Sequence, residues 1–451
     1  MHVHILGICG TFMGGLALLA RGMRHRVTGS DANVYPPMST QLADQGIELY
    51  EGYDEAQFKT KPDVVVIGNA LSRGNPAVEY VLNNNLNYVS GPQFLASEIL
   101  AKRWVLAVAG THGKTTTTSM IAHILNYANL SPGFLVGGIA PDLEVSARMG
   151  KDPFFVIEAD EYDTAFFDKR SKFVHYQPRT LVLNNLEFDH ADIFPDIDAI
   201  KKQFHHLIRI VPQNGLIINN EEDDQLKDVI SQGCWTPRES FSASKNNAWH
   251  VRNVADDFSS VDVYFGEEKQ GTLTWNLCGK HNVSNALAAI AAARHAGVPS
   301  QHAIDALSSF SGVKRRLQRI GANEGAEIYD DFAHHPTAIK TTLDGLRRKV
   351  GDEKIIAVFE PRSNTMKMGI HENTLAASFK DADEVLIYVP DNLGWDISKV
   401  SEEIGDHCIL KSNIDELVRY LERNVNKGEH ILVMSNGDFS GLRERLVSDM
   451  A

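Results

Sequence analysis

The sequence predicts an α/β protein of three domains, and three observations predict it. Short apolar runs alternate with helix-period segments along the whole chain, the pattern of strands joined by crossover helices. That alternation restarts twice, near Lys102 and near Gly312. The chain has 451 residues, too many for one hydrophobic core when domains run to roughly 100–200 residues. Boundaries follow at 1–101, 102–312 and 313–451, with no repeat of fixed period between them.

In the first domain the apolar runs 3–9, 26–31, 64–71 and 87–90 read as strands of a parallel sheet. The first empties into Gly7-Ile-Cys-Gly10-Thr11-Phe12-Met13-Gly14-Gly15, which enters a helix, and Asp31 ends the next strand. Strand, glycine turn, helix and downstream acid make a Rossmann-like unit that could serve a dinucleotide. The spacing is not G-x-G-x-x-G, so support for a dinucleotide, and hence for a dehydrogenase, is weak.

The second domain opens on an apolar strand, 105–109, that leads into Gly110-Thr111-His112-Gly113-Lys114-Thr115-Thr116 and a helix. Backbone N–H groups and the helix N-terminus can surround phosphate oxygens, with Lys114 as a point charge and the Thr115 hydroxyl as a magnesium ligand. Gly113, without a Cβ, lets the backbone approach the phosphates. This predicts a P-loop ATPase-type domain with a mostly parallel sheet, continued by runs at 154–159, 180–185 and 216–219. Two clusters close such strands: Glu158-Ala-Asp160-Glu161 and Asn185-Leu-Glu187-Phe-Asp189-His190. Carboxylates at the carboxyl edge of a parallel sheet suit a hard cation such as Mg²⁺. Further on, Gly279-Lys-His281-Asn282 opens an alanine-rich helix, where an asparagine alone reads as a cap.

The third domain reads as doubly wound α/β, with strands at 327–329, 354–360, 384–389 and 430–435 and a helix at 338–349. Arg315-Arg316 and Asp330-Asp331-Phe-Ala-His334-His335-Pro336 lie at its start, so domain closure is needed to bring them to the phosphate loop. The run Glu360-Pro-Arg362-Ser363-Asn364-Thr-Met-Lys367 follows a strand, and Arg362, Ser363, Asn364 and Lys367 can clamp a ligand with several carboxylates.

Composition narrows the classes. The 44 basic against 58 acidic residues give a net charge of −14, which excludes nonspecific nucleic-acid binding. Cys9, Cys234, Cys278 and Cys408 lie far apart, so neither a disulfide framework nor a zinc ribbon is expected, and a reducing cytoplasm is the natural home. The apolar stretch 3–20 has no preceding Lys or Arg and is broken by glycines, so no signal peptide and no membrane association are expected. The sequence leaves the oligomeric state open.

Val108 stands where the strict phosphate-loop pattern has a glycine. The spacing Ala107-x-x-Gly110-Thr111-x-Gly113-Lys114-Thr115 instead resembles the loop of the Mur ligases, which join amino acids or peptides to cell-wall nucleotide precursors. The three-domain layout is similar too. The resemblance implies that Gly10, Thr11, Phe12, Met13, Gly14 and Asp31 hold the diphosphate and uridine of a UDP-sugar. It puts ATP on Gly110, Thr111, His112, Gly113, Lys114, Thr115 and Thr116, with Arg316 on the phosphates, Asn282 at adenine and Asp331 at the ribose or linker. Thr115, Glu158 and His190 would hold Mg²⁺, and Lys114, His190 and Arg316 would carry the catalysis, with His335 against substrate. Many members carry a carbamylated lysine where this chain has His205, so no carbamate is expected. Asp438 in Ser435-Asn-Gly-Asp438 replaces an expected glycine and stays unassigned.

Segments 7–15, 161–172, 330–336 and 360–367 are similar to the branch of the family that attaches a murein tripeptide, L-alanyl-γ-D-glutamyl-meso-diaminopimelate, to UDP-N-acetylmuramate. The implied activity is ATP- and Mg²⁺-dependent formation of a C–N bond through an acyl phosphate, in peptidoglycan recycling. Two alternatives remain: the L-alanine-adding ligase of peptidoglycan biosynthesis, and a non-catalytic protein binding wall peptides or UDP-sugars.

Overall fold

The apolar runs of the first hundred residues pair side by side: β1 (His2–Leu6), β2 (Arg26–Asp31), β3 (Glu48–Glu51), β4 (Val64–Ile67) and β5 (Tyr88–Ser90) form a parallel sheet in the order β3-β2-β1-β4-β5. The order reverses direction at β1, so the glycine turn after Leu6 opens into the crevice where such sheets take ligands. β4 stops at Ile67, short of the apolar run, because Gly68 turns the chain out of the sheet. On β1, His4 is fully buried and its ring pairs with Thr28 Oγ1 at 2.7 Å and Gln57 Oε1 at 2.9 Å. The computed structural model describes residues 1–35, 38–244, 247–323 and 325–448.

The second sheet has ten strands in the order β17-β16-β15-β14-β13-β12-β6-β9-β7-β8. These are β6 (Trp104–Ala109), β7 (Gly133–Leu135), β8 (Ala147–Arg148), β9 (Phe154–Ala159), β12 (Thr180–Leu183), β13 (Leu216–Asn220), β14 (Arg238–Ser242), β15 (Trp249–Arg252), β16 (Ser260–Phe265) and β17 (Glu268–Thr274). A separate hairpin joins β10 (Asp163–Ala165) to β11 (Asp168–Ser171). From β15 to β7 every pairing is parallel; β8, β16 and β17 close the ends antiparallel. Helix Lys114–Tyr127 packs on helix Lys280–His295, where the buried Ala286, Ala288, Ala289 and Ala292 let the two backbones approach.

The third sheet runs β18-β19-β23-β20-β21-β22, built from β18 (Gln318–Asn323), β19 (Ala326–Asp331), β20 (Ile355–Phe359), β21 (Glu384–Tyr388), β22 (Cys408–Lys411) and β23 (His430–Met434). Only β18 is antiparallel to its neighbour. Helices cover the faces of this sheet, giving the doubly wound arrangement.

The domains meet through packed surfaces. Helix Thr11–Gly22 lies against β7 and β8 of the second sheet, and a Cβ on Gly15 would fall 2.3 Å from Leu135. No helix among the described residues is long and apolar enough to cross a membrane.

Candidate active site

Three adjacent strands, β12, β6 and β9, end side by side, so the segments that follow them converge. The loop after β6 is held by the chain leaving β12: Thr111 N donates to Asn185 O at 3.1 Å and His112 N to Asn185 Oδ1 at 2.7 Å. Gly110 and Gly113 have φ of +146° and +77°, and a Cβ on Gly113 would lie 2.6 Å from Asn285 Oδ1. Both glycines are therefore demanded by shape. Gly113 is followed directly by helix Lys114–Tyr127, whose first-turn N–H groups face the loop's hollow.

The charges there are paired. Lys114 Nζ lies 2.8 Å from Glu161 Oε2, with side chains 15% and 2% exposed, and His190 Nε2 lies 3.2 Å from Glu161 Oε1. Burial opposes ionisation of Glu161, yet the Lys114 ammonium and the His190 ring hold its carboxyl below the ordinary range. Burial likewise resists the charge on Asp160, but Lys172 and Lys114 bring it down to about 2. Glu158 goes the other way: burial pushes it up, against hydrogen bonds from Gly137 N at 2.5 Å and Thr115 Oγ1 at 3.2 Å. A buried carboxyl reluctant to ionise, beside a threonine hydroxyl and a second carboxylate, is the oxygen donor set a hard divalent cation would favour. His190 has φ of +58°, a conformation a non-glycine residue keeps at a cost of about 1 kcal/mol.

Two cavities flank this loop. One, of about 550 Å³, is lined by His112, Gly113, Thr116, Asn282, Asn285, Arg316 and Asp331 among others. The other, of about 560 Å³, runs from Gly10, Thr11, Phe12 and Met13 of the first domain past Thr111, Lys114, Thr115, Glu158 and His190. His112, Gly113, Arg316 and Ala338 line both, so the loop after β6 and these two residues of the third domain form the wall between them. Arg316 holds its guanidinium over the Phe332 ring at 5.2 Å. Asp331 accepts N–H bonds from Leu317 and Ala333 at 2.6 and 2.7 Å, and burial outweighs these and Arg316 to push its carboxyl up to about 6. Asn282 donates to Cys278 O at 2.8 Å.

Other expected residues stand outside the two cavity walls. Asp31 accepts Cys9 N at 2.9 Å and so braces the glycine turn from behind, while Gly14 is a buried helix position whose Cβ would strike Met38. His335 is buried beside Glu187 and His112. Ser363 caps the short helix Asn364–Lys367, exposed Arg362 lies over Gly437, and exposed Asn364 donates to Asp192 at 3.0 Å. Lys367 is half-buried, its carbonyl accepting Gly394 N. This turn docks on the segment carrying His190, since Thr365 Oγ1 also donates to Asp189 Oδ1 at 3.1 Å.

Comparison with known proteins matches three consecutive family models to the chain: Mur ligase family, catalytic domain, over residues 2–103; Mur ligase middle domain over 108–293; and Mur ligase, glutamate ligase domain, over 315–437. The chain belongs to the Mur ligase family. Its members are ATP-dependent ligases that form amide bonds, and this Mur ligase has the family's three α/β domains. It is 55% identical over 452 residues to the UDP-N-acetylmuramate–L-alanyl-γ-D-glutamyl-meso-2,6-diaminoheptandioate ligase of Escherichia coli (strain K12), covering 100% of this chain and 98% of that one. Identity to the UDP-N-acetylmuramate–L-alanine ligase of Clostridium acetobutylicum is 33%, over 99% and 97% of the two chains. The crystal structure of a murein peptide ligase from Psychrobacter arcticus superposes with a TM-score of 0.78 at 48% identity, over 100% of this chain and 98% of that one.

In this Mur ligase several wall residues carry no sequence assignment. Lys172 is 7% exposed, pairs with Asp160 at 3.0 Å and lies 5.5 Å from the Phe12 ring, joining the first domain's glycine turn to the carboxylates at the end of β9. Tyr162, His334 and Asn436 also line the second cavity, and Asn285 underlies Gly113 in the first. For Lys172 the available signal was a lysine shortly after an acidic strand end; only the hairpin β10–β11 folds it back.

Proposed function

We propose that this Mur ligase attaches the murein tripeptide L-alanyl-γ-D-glutamyl-meso-diaminopimelate to UDP-N-acetylmuramate at the expense of ATP, returning wall peptides to synthesis in the cytoplasm. The observation that carries the reading is the pair of cavities meeting at one phosphate loop, in a chain alike end to end to the Escherichia coli enzyme. ATP occupies the first cavity, with Asn282 towards adenine, Asp331 towards the ribose and the triphosphate over Gly110 to Thr116. The UDP-sugar enters the second by way of Gly10 to Met13. Its lactyl carboxylate then attacks the γ-phosphorus, a P–O bond forms and ADP leaves. Lys114 and Arg316 offset the charge that develops, and Thr115, Glu158 and His190 would hold the Mg²⁺ that shares this work. The neutral amine of the tripeptide attacks the acyl carbon, phosphate departs and the amine loses a proton, leaving the amide. Shielding the acyl phosphate from water gives the apposed domains a chemical purpose.

Arg362, Ser363, Asn364 and Lys367 are assigned to the carboxylates of the tripeptide. Arg362→Ala should raise the KM for tripeptide by about tenfold, the loss of one charge-assisted pair, and leave that for UDP-N-acetylmuramate nearly unchanged; equal loss of both would reject the assignment. The activity itself is tested by phosphate release from ATP and Mg²⁺ with UDP-N-acetylmuramate, comparing tripeptide with L-alanine and weighing the product. Turnover with tripeptide is expected. Turnover with alanine alone would move the chain to the alanine-adding branch, and silence with both, from folded protein that binds ATP, would favour a binding protein.

A further inference from the structure

Beside the phosphate loop, away from Thr115, Glu158 and His190, a second group of donors converges from three places in the chain. His112 comes from the loop itself, Glu187 from the exit of β12, and His335 from the cap of helix Pro336–Val350 in the third domain. One ligand atom from each lies within 4.8 Å of the others. His112 Nε2 is 3.3 Å and His335 Nδ1 is 3.5 Å from the same oxygen, Glu187 Oε2. Ligand atoms about 2.0–2.1 Å from a tetrahedral ion stand roughly 3.4 Å apart, so two edges of the coordination figure already have the right length.

Hydrogen bonding alone leaves this group unfinished. The His335 side chain is 7% exposed, and its Nε2 is buried with no partner, as is Nε2 of His371, whose ring stands 4.4 Å from that of His335. His335 Nδ1 accepts the Thr337 N–H at 3.3 Å as the cap of its helix, a long bond that an ion on this nitrogen would replace. Glu187 is meanwhile fixed by Thr337 Oγ1, which donates to the same Oε2 at 2.7 Å and leaves that oxygen one lone pair for an ion.

The geometry points to His112, Glu187 and His335 as a binding site for a borderline-soft divalent ion of the Zn²⁺ type, separate from the Mg²⁺ donors. Two imidazoles and one carboxylate, with a fourth position left for water, match the donor preference of zinc and not the all-oxygen preference of magnesium. An ion held there would fasten the phosphate loop and β12 to the third domain, and so favour the apposed arrangement of the domains.

The test uses the full chain without nucleotide or magnesium. Zn²⁺ uptake is followed by calorimetry, and the geometry is read from the visible absorption of Co²⁺. One ion per chain is expected, with a tetrahedral Co²⁺ spectrum. His335→Ala, Glu187→Gln and His112→Asn should each weaken Zn²⁺ binding by a factor on the order of 10–100 or more, whereas Glu158→Gln should leave it unchanged. Unfolding curves identify any variant that fails to fold, and the remaining two then carry the comparison. No uptake by the folded parent, or loss in Glu158→Gln with binding kept in the His335, Glu187 and His112 variants, would overturn the assignment.

Discussion

Lys114 shows what a single residue must satisfy here. Its ammonium and the Glu161 carboxylate are both buried, each the main compensation of the other. Lys114→Met should therefore have two separable effects: turnover falls by about 10²–10³ because a donor to the transferring phosphoryl group is lost, and stability falls by less than the roughly 3–5 kcal/mol of an uncompensated buried charge, because Glu161 keeps only His190 as partner. Adding Glu161→Gln should recover much of the stability in urea titrations while phosphate release stays low; a double variant as unstable as the single one would show that the pair is not the cause. Gly113→Ala is expected to abolish tight ATP binding, measured with a fluorescent nucleotide, because φ is +77° and Asn285 Oδ1 stands 2.6 Å from the new Cβ. The glycines and Lys114 were legible because a phosphate loop is contiguous. Lys172 and Asn285 were not: one meets Phe12 of the first domain and the other meets Gly113 where two helices pack, contacts which no local spacing encodes.

Among elements, strands buried on both faces announced themselves. β6, β9, β12 and β20 are nearly unbroken apolar runs lying inside parallel sheets. The edge strands β3 and β17 went unread, because their sequences mix Glu, Lys, Gln and Thr with few apolar residues. β1 carries a stability consequence of its own. Burial holds the His4 ring neutral down to about 4 against an ordinary value of 6.5, and Gln57 only partly opposes this. Between those values the unfolded chain binds more protons than the folded one, so the contribution is complete above pH 6.5 and is lost as pH falls towards 4, up to about 3 kcal/mol. Urea titrations at pH about 7.5 and about 5 should show the parent losing more stability on acidification than His4→Asn. Equal losses would remove His4 as a source of acid sensitivity.

At the scale of the molecule, the restarts of the strand pattern made three domains legible, but not how they are apposed. The first and second domains share an apolar core, while the second and third are joined by sparse polar contacts between distant segments: Lys314 N to Ile139 O, Thr337 to Glu187, Thr365 to Asp189 and Asn364 to Asp192. Threonines and asparagines with such partners look like any surface residue in a sequence. Two of these bonds, at about 1–2 kcal/mol each, govern the ratio of apposed to separated domains by a factor on the order of 10–10³. Thr337→Val with Thr365→Val should enlarge the radius of gyration in small-angle scattering and slow phosphate release; unchanged scattering would mean that apolar packing alone holds the arrangement. The common wall of the two cavities, His112, Gly113, Arg316 and Ala338, bears on inhibition. A compound seated against that wall from either side rests on residues the other ligand also needs. A substitution there that expels the compound would damage the site across the wall, so escape from such an inhibitor has to come from the outer rims, where the two ligands have no residue in common.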